Sequence, residues 1–117
     1  MQTEILIYET ASGRKPFIDF SRTLDSADRD KIRQRLNRLG YNHYGDYKNL
    51  DGNLFELRFK SGGGLRIYFG KIESTIILLL CGGNKGTQKR DIEKAKKYWG
   101  IYNEQKTKKT IEKLSKI

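Results

Sequence analysis

NLFELRFKSGGGLRIYFGKIESTIILLLCGGNK, residues 53–85, decides the fold, because it reads as three successive β-strands. In its first segment Phe55, Leu57 and Phe59 alternate with Glu56, Arg58 and Lys60; in its second, Leu65, Ile67 and Phe69 alternate with Arg66 and Tyr68. Alternation with a period of two marks strands that bury one face. Between them stand Ser61 and three glycines, and glycine admits the positive φ that a tight reversal needs. The two strands therefore form a hairpin. In register, it sets Glu56, Arg58, Arg66 and Tyr68 on one face, opposite the apolar side chains. Residues 76–80 are all apolar, the pattern of a central strand covered on both sides, although a buried helix segment has the same run. Gly82 and Gly83 at its end favour the strand.

Working outward toward the N-terminus, Ile5 and Ile7 alternate with Leu6 and Tyr8 in a short β-forming run that joins the same sheet, its faces left ambiguous. Pro16 suits the first turn of a short helix carrying Phe17, Phe20 and Leu24. Asp25 or Ser26 can cap a second helix, on which Ile32, Leu36 and Leu39 form a narrow apolar stripe before Gly40 ends it. Lys31, Arg33, Arg35 and Arg38 fill its other faces, a cationic surface more often solvated than bound. The two helices make a hairpin packed on one side of the sheet. Residues 41–50 hold three tyrosines, His43 and Lys48 in a loop and a short strand or arm that ends at the turn pair Asp51 and Gly52. Aromatic rings interleaved with cations suit single-stranded RNA, where rings stack on bases and ammonium groups hold phosphates. The same tyrosines could equally cover a sheet edge.

Past the third strand, Gly82 to Gly86 form a glycine-rich loop that opens a helix, with Thr87 as cap and free N–H groups that attract an anion. The spacing of a P-loop is absent. The helix is expected over residues 88–102, with Ile92, Ala95, Trp99 and Tyr102 near one face and Gly100 weakening its end. Residues 103–117 are lysine-rich and poor in apolar side chains, a frayed helical extension or a tail. The division is a single domain over 1–104 and a basic extension over 105–117.

The chain has 117 residues, room for one domain and one substantial core. Its 24 Lys and Arg exceed its 14 Asp and Glu by 10, which predicts salt-sensitive attraction to polyanions or, more simply, a charge that prevents aggregation. Cys81 has no second cysteine to pair with, so a disulfide framework and a cysteine-rich zinc site are excluded. No apolar run approaches a membrane span and the first residues lack a signal-peptide pattern, so a cytoplasmic protein is expected. One histidine rules out two-histidine acid–base cleavage, the carboxylates do not cluster as metal ligands, and no serine lies in a nucleophile motif. What remains is a cationic site of Arg58, Arg66 and Lys85, with Tyr68 and Glu56 nearby and Lys48 on the adjoining segment. Arginine forks suit phosphate oxygens, and a lysine or tyrosine of depressed pKa can move protons, with no metal or cofactor needed. Arg58 and Arg66 could also be no more than cross-strand partners of Glu56 on an exposed sheet face.

Four segments, GDYKNL at 45–50, LFELRF at 54–59, GGLRIYF at 63–69 and ILLLCGGNKGTQKRDIEKAKKYW at 77–99, are together similar to the RelE/ParE superfamily of toxin–antitoxin toxins. Within it they most resemble the phage-derived, HigB-like addiction-module killer proteins. The resemblance implies an α+β fold: a small, twisted, mostly antiparallel sheet with an N-terminal helical hairpin and a C-terminal helix. It also implies an mRNA interferase, an endoribonuclease that cuts messenger RNA on the ribosome and is blocked by a cognate antitoxin, often a helix-turn-helix protein. Arg66 matches the strand arginine that contacts the scissile phosphate, Arg58 a strand cation that supports the transition state, and Lys85 a basic position after the last strand. Lys48 falls in the GDxK segment. Tyr68 joins these as a catalytic candidate, and His43, Tyr47, Lys48, Lys60, Lys89 and Arg90 are the RNA-binding candidates. A tyrosine that several ribosome-dependent members carry after the last strand has no equivalent here; Gln88, Arg90, Asp91 and Ile92 stand there, leaving proton transfer to Tyr68, Asp91 or a lysine. Two rivals belong to other classes: a non-catalytic toxin that poisons gyrase by protein contact, and an inactive co-repressor acting with its antitoxin.

Overall fold

Leu54–Arg58 and Arg66–Ile72 form the expected hairpin, here strands β3 and β4, with Arg58 opposite Arg66 and Glu56 opposite Tyr68. Gly63 and Gly64 in the turn have φ of +69° and +80°, values that other residues adopt only with strain. The computed structural model describes residues 3–61 and 63–115, with side chains to residue 105. The other elements are β1 (Glu4–Ile7), α1 (Pro16–Arg22), α2 (Ser26–Leu39), β2 (Tyr47–Asp51), β5 (Ile76–Gly83), a 3-10 turn (Lys85–Thr87) and α3 (Gln88–Ser115). The strands form one sheet in the order β1-β5-β4-β3-β2, antiparallel except for the parallel pair β1 and β5. This mixed α+β architecture is the one expected, and residues 47–51 form a true strand rather than an arm.

The helices start where local chemistry directs. Pro16 opens α1, where a missing N–H costs nothing. The Asp25 carboxylate caps α2 by accepting the Asp28 N–H at 2.8 Å, and Gly40 follows as its C-cap. Phe17, Ile32 and Leu39 from these two helices pack on Leu57, Phe59, Leu65, Ile67, Phe69, Ile77 and Leu79. That is the odd-numbered face of the hairpin.

The even-numbered face is not exposed. A second core, made of Tyr8, Leu54, Tyr68, Ile72, Leu78, Leu80 and Cys81, is closed by Ala95 of α3, with Ile92, Trp99 and Tyr102 packed around it. Two glycines make room for this layering. At Gly70 a Cβ would clash with the Trp99 ring, and at Gly82 with the Phe20 ring on the opposite side. The pairing of β4 with β5 slips between Tyr68 and Phe69, so Leu80 and Cys81 both face the α3 side and the alternation of β5 breaks there.

Near the C-terminus Asn84 caps the 3-10 turn that leads into α3: the Thr87 N–H donates to Asn84 Oδ1 at 3.1 Å and the Asn84 N–H to Thr87 Oγ1 at 3.1 Å, and Thr87 stands immediately before Gln88, the first residue of α3. Helix α3 runs beyond its expected end at residue 102, through Gly100 to Ser115. A Cβ at Gly100 would meet nothing within 4 Å, so the glycine sits on an open helix face, where it costs about 1 kcal/mol without ending the helix. The extension expected over 105–117 is thus continuous with α3 as far as Ser115, and residues 116 and 117 lie outside the described residues.

Candidate functional site

Glu56 is the centre of the site, and its side chain is wholly buried. A lone carboxylate in that position would be strongly disfavoured; this one is surrounded by donors. Arg58 Nε donates to Oε1 at 2.8 Å, while Tyr68 Oη and Gln88 Nε2 donate to Oε2 at 3.1 Å and 2.8 Å. Arg66 Nε lies 4.0 Å from Oε2. Burial acts to raise the Glu56 pKa, but the hydrogen bonds from Arg58, Gln88 and Tyr68 and the Arg58 charge outweigh it, so the carboxyl is held below its usual range. The same hydrogen bond raises the pKa of Arg58. The cluster is therefore carboxylate and guanidinium at neutral pH.

The arginines differ in exposure, with 32% of the Arg58 side chain and 13% of the Arg66 side chain reaching solvent. Arg58 is bound through Nε, which leaves its terminal nitrogens for other acceptors. Arg66 Nε is buried with no hydrogen-bond partner. A Cβ at Gly64 would lie 3.2 Å from Lys85 Cβ and 3.7 Å from Arg66 Nη1, so the glycine turn brings Lys85 beside Arg66. The Lys85 N–H also donates to Gly63 O at 3.3 Å. Lys48 is the cross-strand partner of Glu56, which sets its side chain on the same face at the sheet edge. Arg58, Arg66, Lys85 and Lys48 thus flank one buried carboxylate.

Tyr68 lies in the cluster but cannot have the depressed pKa expected of a proton-moving tyrosine. Burial pushes its phenol far up, and the Glu56 charge and hydrogen bond, Asp91 and Cys81 act the same way. Its hydroxyl positions Glu56. Asp91 is also buried, accepts a hydrogen bond from Thr87 Oγ1, and lines a different cavity.

The RNA-binding candidates are carried by several elements. The Tyr47 ring packs on Tyr44 and Phe55, with centroids 5.1 Å and 6.0 Å apart, on the face opposite Lys48, and remains exposed at the sheet edge. His43 is exposed in the turn after α2. Lys60 lines a cleft with Lys31, Arg35 and Arg38 of α2. Lys89 and Arg90 are exposed on the first turn of α3. Among the described residues no three His, Cys, Asp or Glu side chains gather as a metal site, and no helix is long and apolar enough to cross a membrane.

Two contributors escaped the sequence reading. Gln88 reaches Glu56 from 32 positions away, a contact with no local signal. Arg35, read as part of a solvated face, is half-buried: its guanidinium donates to the carbonyls of Arg58 at 2.7 Å, Tyr44 at 3.1 Å and Asp46 at 3.2 Å and lies 4.6 Å from the centre of the Phe59 ring. Burial lowers its pKa. It ties α2 to the end of β3 that carries Arg58.

Residues 19–99 match the family of phage-derived Gp49-like proteins, a span that contains Lys48, Glu56, Arg58, Arg66, Lys85 and Gln88. An uncharacterised protein of Haemophilus influenzae is 42% identical over 66 residues, 56% of this chain and 67% of that protein. With well over half of its length inside the match, including every residue of the Glu56 cluster, the chain belongs to the phage-derived Gp49-like proteins, a toxin-like family.

Proposed function

We propose that the chain is the toxin of a type II toxin–antitoxin module, of the HigB-like kind within the RelE/ParE superfamily, and that it cleaves mRNA without a metal ion. The observation that carries this reading is a pair of arginines beside a buried carboxylate, one of them hydrogen-bonded to it, with lysines on either side. In such a reaction the ribose 2′-oxygen attacks the adjacent phosphorus, the bond to the 5′-oxygen breaks, and the products are a 2′,3′-cyclic phosphate and a 5′-hydroxyl. Negative charge grows on the non-bridging oxygens. Preorganised cations stabilise it most effectively where they need not reorient. Arg66 and Lys85 hold the phosphate and Arg58 supports the transition state. Tyr68 acts only through Glu56, so proton transfer from the 2′-hydroxyl and to the leaving 5′-oxygen falls to the exposed Lys48 and Lys85. RNA reaches the site while the toxin sits on the ribosome, and an antitoxin with an acidic surface covers the same cations.

Induction in a bacterial host, followed by mapping of transcript 5′ ends, tests the reading. Growth arrest with new 5′ ends is expected, relieved by Arg66→Ala and by co-expression of the neighbouring gene product. Arrest with intact transcripts would overturn it, and an accompanying SOS response would assign the toxicity to gyrase instead.

A further inference from the structure

At the carboxyl ends of the parallel strands β1 and β5 the chain departs in opposite directions. From β1 it passes to α1 on one face of the sheet; from β5 it passes through Asn84 to α3 on the other. Adjacent parallel strands whose connections part in this way leave a crevice between them, and in open sheets ligands settle there. A cavity of about 420 Å³ opens at that end of β5, between the loop after β1, α1 and α3.

Gly82, Gly83 and Asn84 line it at the end of β5. Arg14 comes from the loop after β1, while Arg90 and Lys94, one helical turn apart on α3, approach from the other side. The half-buried Tyr98 adds a ring surface. Two carboxylates line it as well: Asp91 accepts the Thr87 hydroxyl, and Asp19 lies 3.9 Å from Arg14. Three cations against two carboxylates leave the lining net positive around a space of nucleotide size.

We infer that this crevice binds a nucleotide phosphate, held by Arg14, Arg90 and Lys94 with the base against Tyr98. It adjoins the Glu56 cluster but is lined by none of Glu56, Arg58, Arg66 or Lys85. Gly83 is the cross-strand partner of Arg66, so the cluster lies toward β4 and the crevice toward β1, on either side of the end of β5. The phosphate could belong to a free nucleotide or to an RNA strand, and the site does not depend on the cleavage reading.

Amide NMR of the full-length chain, titrated with a nucleoside 5′-monophosphate and separately with single-stranded RNA of about four nucleotides, tests this. Saturable shifts are expected at Gly82, Gly83, Asn84 and Thr87. They should weaken roughly tenfold or more in the double variant Arg90→Ala/Lys94→Ala and persist in Arg66→Ala. Both substituted residues are exposed, so amides elsewhere will report an intact fold. Saturation by the mononucleotide assigns the site to free nucleotides, and saturation by the oligonucleotide alone assigns it to an RNA strand. The inference fails if neither probe saturates these amides, or if the shifts survive the double variant.

Discussion

Glu56→Gln keeps the shape of the central side chain and removes its charge, so it tests whether the carboxylate organises the arginines. In the native cluster Glu56 accepts from Arg58, Tyr68 and Gln88 and donates nothing. A glutamine has one acceptor end and one donor end. If its oxygen stays toward Arg58, its amide nitrogen faces Tyr68 and Gln88, which must rotate to accept. Hydrogen bonds to a charged group contribute about 1.5–3 kcal/mol each, and breaking one partner of a buried ion pair costs about 3–5 kcal/mol. Rotation of Tyr68 and Gln88 recovers part of this, and losing the desolvation cost of the charge recovers more. The expected net loss is about 2–4 kcal/mol at pH 7, read from urea denaturation. The pH dependence supplies the sign. Because the folded-state pKa of Glu56 lies below its ordinary value, its contribution is complete above the unfolded pKa of about 4.3 and is lost as pH falls through the folded pKa. Wild type and variant should therefore converge in acid. A variant within about 0.5 kcal/mol of wild type at pH 7, or a gap unchanged from pH 7 to strong acid, would refute the argument, since roughly that much is what an unremarkable surface substitution costs.

Two further outcomes follow from the second core. Gly70→Ala drives a methyl against the Trp99 ring and should cost about 1–3 kcal/mol, measured by far-ultraviolet circular dichroism during urea unfolding; the cost should shrink when Trp99→Leu is combined with it, and equal costs in both backgrounds would show that the ring is not the obstacle. Cys81 is buried, and desolvation, with the Asp91 charge, pushes its thiol up to about 12, so a thiol reagent should leave the folded protein unmodified at pH 8 and label it only as fast as it unfolds; prompt stoichiometric labelling would contradict that burial.

The hairpin was legible because parity is local: Glu56, Arg58, Arg66 and Tyr68 share a face as soon as both segments are strands and the turn has glycines. Pro16 and Asp25 announced their helices for the same reason. The fate of that shared face was not legible. Whether Glu56 meets water or a helix depends on where α3 docks, and the apolar side chains of α3 were readable while their destination was not. Gly70 was an available clue, since a glycine inside a strand often marks a close approach; Trp99 is what approaches. Arg35 looked like its charged neighbours on α2 because half-burial at a row of carbonyls is a tertiary fact. The slip at Leu80 and Cys81 hid inside an apolar run that looks the same in either register.

A protein with a surplus of ten positive charges has no need of a buried carboxylate merely to be soluble, so the position of Glu56 calls for a reason. Left alone, Arg58 and Arg66 face each other across two strands and would repel. Glu56 lets them stay close, and it does so by holding Arg58 through Nε, the edge of the guanidinium that faces away from the fork. The terminal nitrogens remain available to an incoming anion. Arg66 is held less completely, with its buried Nε still 4.0 Å from the carboxylate, and an unmet buried donor costs about 1–3 kcal/mol. The terminal nitrogens of Arg66 lie beside Lys85, so the two arginines divide the work: Arg58 is anchored by the carboxylate, and Arg66 is placed by its strand next to a second cation, where an incoming phosphate meets both.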